Sequence, residues 1–355
     1  MERFFLEIIS NKRRGLLAWL LRAFLRYCSF WYWLAIRMRL AAYAVLPRRG
    51  VSRPVICVGN ITTGGTGKTP AVAAVTAMLG EMGAKPAIVS RGYKAGPQGN
   101  DEMRVLEELC PGVPHLQNAN RVAGARRAIA DGANVVVLDD GFSHLRLMRD
   151  LDVILLDALN PFGFGRMLPR GLMREPLSSL RRAGMIVISR ADVATPERLR
   201  EIEDVVRCYG YIGPVLHAAH VPQKLVNLAT GEEQPVDVLK GKAVVPFCGI
   251  GNPRGFEKTL ESLGAHLTAM GTLGLEDHAS LDAREITRQV QPFLRTAYEQ
   301  GAQLAVCTQK DAVKLRGSDI CPGIPCYELR VAFKFLRGED ELRAKLAALL
   351  STAAP

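Results

Sequence analysis

Eight residues, Thr62-Thr63-Gly64-Gly65-Thr66-Gly67-Lys68-Thr69, constrain this chain more than any other stretch. They follow an apolar run at 55–58 and lead into a helical pattern that opens with Pro70, a good first-turn residue. In a strand–loop–helix unit of this kind the glycines let backbone N–H groups wrap phosphates, and the helix N-terminus adds its positive dipole end. Lys68 can then reach the β- and γ-phosphates of a nucleotide, and the Thr69 hydroxyl can ligate Mg²⁺. Thr62 stands where the usual pattern begins with glycine, and a side chain is tolerated there if φ stays negative. The metal also needs an acid at the end of a neighbouring strand. The run 134–138 ends in Asp139-Asp140, and the run 151–156 ends in Asp157. The paired Asp139 and Asp140, followed by Gly141, are the stronger candidates.

The rest of the body repeats the alternation. Short apolar runs at 55–58, 87–90, 135–138, 153–156, 185–188, 244–247 and 304–307 predict strands. Helical patterns at 70–80, 121–131, 196–208, 253–263 and 279–299 follow most of them. This is an α/β chain with a P-loop NTPase-like parallel sheet covered by helices on both faces. A turn-rich stretch at 229–233, between 225–228 and 236–238, reads as a hairpin and the best candidate boundary. The expected domains are an arm over 1–53, a P-loop nucleotide-binding domain over 54–225, and a second, smaller α/β domain over 226–355. Its last helix, 339–350, is free to pack back on the P-loop domain.

The net charge of +11 raises the question of nucleic acid, so its distribution matters. Residues 1–53 hold eleven Lys and Arg against Glu2 and Glu7, leaving a body that is close to neutral. All three tryptophans (Trp19, Trp31, Trp33) lie in this arm with Phe4, Phe5, Phe24, Tyr27, Phe30 and Tyr32. Aromatic rings mixed with arginine suit a bilayer interface, and no nucleic-acid motif accompanies the charge. As a helix, the arm sets Leu17, Leu20 and Phe24 on one face and Arg22 with Arg26 on another. Arg22 and Arg26 interrupt the stretch 16–36, against the roughly 20 apolar residues that a span needs. An anionic membrane surface is the expected partner of an N-terminal membrane-surface helix. A tilted span and a helix docked on its own domain stay open. No cleavable signal is expected, because no small-residue site follows the apolar run directly. The eight cysteines are scattered without a metal-binding spacing and read as reduced core residues.

A set of short motifs adds to this. Gly59-Asn60, Ser90-Arg91-Gly92-Tyr93, Asp101-Glu102, Asp139-Asp140-Gly141-Phe142, His144, Leu172-Met173-Arg174-Glu175-Pro176, Asp277-His278 and Lys310-Asp311-Ala312-Val313-Lys314 occur in this order. Together they resemble the tetraacyldisaccharide 4′-kinase (lipid A 4′-kinase) family of Gram-negative bacteria, from the arm to about residue 315. The resemblance implies a kinase, with ATP and Mg²⁺ as cofactors, that phosphorylates the 4′-hydroxyl of a tetraacylated glucosamine disaccharide 1-phosphate, a late step of lipid A biosynthesis. It also implies a site on the cytoplasmic face of the inner membrane, in a cleft between two domains, and no obligate protein partner is evident. Asp101 and His278 would form the catalytic pair with Lys68, while Arg91, Tyr93, Glu102, Arg121, His144, Arg174 and Glu175 would line the cleft. Departures from the family pattern are Ser143 for Gln, Gln309 for Glu, Ala279 for a second His, and the loop 94–100.

The residues themselves agree with this chemistry. A sugar hydroxyl is a poor nucleophile at neutral pH, so a carboxylate or imidazole beside it would help. His144 and His278 sit beside acids in predicted loops, whereas His115, His217, His220 and His266 receive no role. The rival from another class is a membrane-associated P-loop ATPase acting as a partner switch, which would hydrolyse ATP without any lipid.

Overall fold

Apolar runs too short for helices become strands here, each buried along its length. The computed structural model describes residues 2–92, 100–250, 253–275, 283–316, 320 and 323–352. Along the chain, α1 (Glu2–Ile9) and α2 (Leu16–Val45) precede β1 (Val55–Asn60), α3 (Lys68–Glu81) and β2 (Pro86–Ser90). Next come α4 (Asp101–Leu109), β3 (His115–Gln117), α5 (Arg121–Ala130), β4 (Val135–Asp139) and β5 (Leu151–Asp157). β6 (Met185–Ser189), α6 (Pro196–Cys208) and the long β7 (Val215–Asn227) follow, then β8 (Glu233–Pro235) and β9 (Ala243–Cys248). The remainder is α7 (Pro253–Ser262), β10 (His266–Leu267), β11 (Leu273–Gly274), α8 (Ala283–Glu299), β12 (Leu304–Thr308), α9 (Gln309–Leu315), β13 (Cys326–Arg337) and α10 (Glu339–Thr352).

The chain divides into two units, one of Met1–Arg91, Gly112–Ala219 and Lys334–Pro355, the other of Gly92–Pro111 and His220–Phe333. The second unit thus takes in α4, and the first takes in α10. In the first unit the strands run β3-β2-β4-β1-β5-β6-β7, all parallel. Every residue of β1, β2, β4, β5 and β6 is buried, as a sheet covered on both faces requires. Val122 and Ala125 of α5 and Ile202 and Val206 of α6 join the strand residues Val55, Leu138, Ile154 and Ile188 in one core. Val58 stands opposite both Asp139 and Val153, and Asp157 opposite Ser189, so four strands end along one edge. Ligands of open parallel sheets bind at that edge.

In the second unit the order is β10-β9-β12-β13-β7, with β11 parallel to β9 and β8 antiparallel to β7. Successive residues of β9 point to opposite faces. Val245 and Phe247 pack with Leu294 of α8 and Ala312 and Leu315 of α9, while Val244 and Cys248 pack with Phe256 and Leu260 of α7. The hairpin is present, with Val226 opposite Glu233, but its return strand ends at Pro235. Residues 236–238, read from sequence as strand, lie in a short 3-10 turn, Val236–Leu239, whose pattern is too short for periodicity to tell from a strand.

The arm belongs to the first unit and inverts the usual burial. Only Ala18 and Ser29 of α2 are buried, while Leu17, Trp19, Leu20, Phe24, Phe30 and Trp31 are each at least half exposed. Hydrogen bonds join α2 to the body: Ser29 Oγ donates to the Met167 carbonyl (2.9 Å), Tyr32 to that of Arg174 (3.1 Å) and Arg39 to that of Ser143 (2.7 Å), while Ile8 and Ile9 of α1 are fully buried. No described helix is long and apolar enough to cross a membrane. Cys57, Cys110, Cys248, Cys307 and Cys326 are buried, whereas Cys208 is exposed on the last residue of α6, contrary to the core role read from sequence.

Candidate active site

The loop between β1 and α3 is shaped to receive phosphates. Gly64 has φ 109° with open space where a Cβ would stand, and Gly67 has φ 82° immediately before α3. No side chain caps that helix, so its first N–H groups are directed to the loop. Thr62, in place of the usual glycine, is buried and bridges to Met173, and its φ is not among the positive ones. The segment 172–175 fastens the loop from the side. Thr63 N donates to the Leu172 carbonyl at 2.7 Å, and Arg174 N donates to that of Ile61 at 2.7 Å.

Around this loop the charges are closely matched. Asp140, at φ 52° just beyond β4, accepts two hydrogen bonds from Arg174, at 2.7 and 2.8 Å. Arg174 also donates to the Asn60 side chain, and Lys68 Nζ lies 3.5 Å from Asn60 Oδ1. Desolvation would raise the Asp140 carboxyl, but Lys68, Arg174 and Arg121 overcome it and hold it well below the usual carboxylate range. A left-handed φ at a non-glycine residue costs of order 1–3 kcal/mol and clusters at active sites. Arg121 is buried at the start of α5, where desolvation lowers its pKa against the pull of Asp140. His144 is pushed down to about 4 by burial and by Arg121, Arg149, Arg39 and Arg146, so its ring is neutral at pH 7. Arg149 donates to the His144 carbonyl at 2.6 Å and forms a buried ion pair with Asp152 through two hydrogen bonds, at 2.7 and 3.1 Å. Glu175 is buried and paired with Arg182, and Arg91 is exposed beyond β2.

The candidate acids at the strand ends differ in their contacts. Asp157 is taken up by Arg190 and by Leu159 N (3.1 Å), and burial raises its carboxyl despite Arg190. Asp139 is buried at the end of β4 beside the loop. The Thr69 hydroxyl and the Asp139 and Asp140 carboxylates offer the oxygen donors that suit Mg²⁺, an ion that keeps waters and phosphate oxygens in its remaining positions. Residues that sequence reasoning missed brace the loop: Ser189 Oγ donates to the Thr66 carbonyl (2.9 Å), and Arg190 to that of Gly65 (3.0 Å). Asn60, singled out in the sequence only as part of a motif, meets Thr66, Lys68 and Arg174.

In the second unit, Asp101 is the first residue of α4, which Asn100 caps by accepting from Met103 N at 3.0 Å. Lys314 of α9 pairs with Asp101 at 2.5 Å. Glu102 is half-buried in the same turn. Glu108 of α4 bonds Gln309 (3.1 Å) and Arg316, and Arg316 in turn pairs with the fully buried Glu328. The Lys310–Lys314 motif thus serves to seat α4. Its Asp311 is turned inward, accepting from Gly249 N (3.0 Å) and Thr308 Oγ (2.6 Å), and burial raises its carboxyl. Tyr93 and His278 lie outside the described residues.

The chain matches the family described as tetraacyldisaccharide-1-P 4′-kinase over residues 21–351. It is 39% identical to a tetraacyldisaccharide 4′-kinase of Anaeromyxobacter dehalogenans over 332 residues, covering 88% of this chain and 86% of that one. A tetraacyldisaccharide 4′-kinase of Halothermothrix orenii is 34% identical, with 90% of each chain covered. The crystal structure of LpxK from Aquifex aeolicus in complex with ATP superposes with a TM-score of 0.69 at 27% identity, over 93% of this chain and 99% of that one. With a phosphate loop, its acids and its flanking arginines in place, and relatives matching nearly end to end, the chain belongs to the tetraacyldisaccharide-1-P 4′-kinase family.

Proposed function

We propose that this protein is an ATP-dependent kinase that phosphorylates the 4′-hydroxyl of a tetraacylated glucosamine disaccharide 1-phosphate, a lipid A precursor. The observation that carries the reading is the convergence of Lys68, Asn60, Asp140 and Arg174 on the loop 62–69, in a chain whose relatives are named for that reaction. Residues 62–69 bind the nucleotide phosphates, and Lys68 faces the charge that develops on the transferred group. Thr69, Asp139 and Asp140 are the residues that would hold Mg²⁺, which would supply neutralisation of phosphate charge. Arg174 holds Asp140 and Asn60 in register with the loop. Arg121 adds a second buried cation, and neutral His144 can accept or donate a hydrogen bond without adding charge.

On the acceptor side, Asp101 and His278 act on the hydroxyl that attacks, with Lys314 keeping the Asp101 carboxylate in place. Arg91, Tyr93, Glu102 and Glu175 complete the substrate groups carried over from the family pattern. The arm places the enzyme on the cytoplasmic face of the inner membrane of a Gram-negative cell, peripherally, through its exposed aromatic face. An acceptor lacking the 4′-hydroxyl tests the assignment: phosphorylation of the complete lipid and none of the 4′-deoxy lipid is expected. Equal phosphorylation of both places the reaction elsewhere on the molecule.

A further inference from the structure

The turn between α1 and α2 concentrates positive charge around one buried cation. Arg170 is 4% exposed, and its guanidinium donates to the Ile9 carbonyl (2.7 Å) and to Asn11 Oδ1 (2.7 Å), both neutral. Its Nε is buried and has no partner among the described residues. Burial, followed by the fields of Arg26, Arg22 and Arg166, disfavours its charged form. Arg22 also closes on this turn, donating to the Arg13 carbonyl at 2.7 Å. The acid at hand, Glu7, lies 3.8 Å from Arg13. A buried cation bonded, among the described residues, to neutral oxygens and flanked by three other arginines is a costly arrangement unless an anion joins it.

The surroundings specify what kind of anion fits. Phe164, two residues from Arg166, is 40% exposed between Gly163 and Gly165, with all three at positive φ. Phe4, 40% exposed, lies under the Arg13 guanidinium at 4.5 Å. Guanidinium groups beside exposed rings suit a phosphate with acyl chains attached, since the rings enter the interface while the cations meet the headgroup.

We propose that Arg170, with Arg22, Arg26 and Arg166 around it, forms a site for the phosphate of an anionic membrane lipid at the α1–α2 turn. This rests on the reading of the arm as a membrane-surface element and names the ligand it takes. The site is tied to the nucleotide loop. Arg170 N donates to Ser29 Oγ (2.9 Å), and the same segment continues into residues 172–175, which bond Ile61 and Thr63. A headgroup held here sets the depth at which the phosphate loop stands above the lipid.

The test is sedimentation of the full chain with phosphatidylcholine vesicles, with and without phosphatidylglycerol. The double variant Arg26→Glu/Arg166→Glu should lose roughly tenfold or more of its binding to anionic vesicles, with binding to neutral vesicles unchanged. Arg37→Glu/Arg48→Glu makes the same charge change elsewhere on the arm and should lose less than about threefold. Equal losses in the two doubles mean diffuse charge and overturn the site. Displacement of the protein from vesicles by millimolar inorganic phosphate, at constant ionic strength, identifies a free-anion site and overturns the lipid assignment. Short-chain phosphatidylglycerol below its micellar concentration should raise the Tm of the wild type and leave that of Arg170→Met unmoved; an equal rise in both contradicts the proposal. A wild type that binds neither vesicle removes the membrane reading of the arm itself, a result distinct from the others.

Discussion

At the phosphate loop each charge meets an opposite charge, Asp140 held by Arg174 and flanked by Lys68 and Arg121, whereas the arm crowds arginines together and turns its tryptophans to water. The first arrangement sets its central carboxylate among cations of the same chain. It is preorganised, with a bidentate pair, a left-handed Asp140 and braces from Ser189 and Arg190, so that a nucleotide meets groups already in place. The second leaves aromatic rings at the surface. Exposed rings beside crowded arginines are costly in plain water and would suit an anionic interface.

The contrast is broken most severely at the loop. Lys68→Ala should lower kcat by roughly a thousandfold, as expected for about 4 kcal/mol of lost transition-state stabilisation. Its Tm and vesicle binding should match the wild type. Near-normal transfer by a folded variant would remove the loop from the reaction. On the acceptor side, Asp101→Ala and His278→Ala should each cost roughly 10²-fold in kcat, and the double variant little more than the poorer single one. Small, additive losses would leave the pair without a catalytic role. Removing the arm (residues 1–45) should sharpen the comparison from the other end. Transfer to lipid in vesicles should fall about tenfold or more with loss of vesicle binding, while the affinity for ATP is kept. About 1 M salt should weaken only the electrostatic part of that binding.

The smallest expected effect is on stability. His144 and His115 are both held near 4 in the folded chain, below the value of about 6.5 for a free histidine. The unfolded chain therefore binds more protons between those values, so stability is full above about pH 6.5 and declines as pH falls towards 4. His144→Gln and His115→Gln should each flatten the Tm profile in that window. An unchanged slope would contradict the assigned burial.

How far sequence reaches differs along the same line. The phosphate loop is legible because its chemistry is carried by contiguous residues between a strand and a helix. The pairing of Arg174 with Asp140 is not, since it joins residues 34 positions apart and depends on parallel register. Arg190 leaves no signal at all, since an arginine after a strand is common and only the fold brings it to Gly65. Most strands of the body are readable as buried apolar runs, while α4 escapes because its nine residues are too few for an apolar face to stand out. The arm's composition points to an interface. That α2 buries Ala18 and Ser29 and exposes its rings does not follow from an amphipathic pattern, which fixes faces but not which one meets the protein.

The central claim is tested most directly by following the γ-phosphate. Label from ATP, supplied with the glucosamine-disaccharide lipid in vesicles, should appear in the lipid at a rate far above its release to water, and should be lost from both in Lys68→Ala. Release to water at the same rate with or without lipid, and no labelled lipid, would make the protein an ATPase and contradict the account.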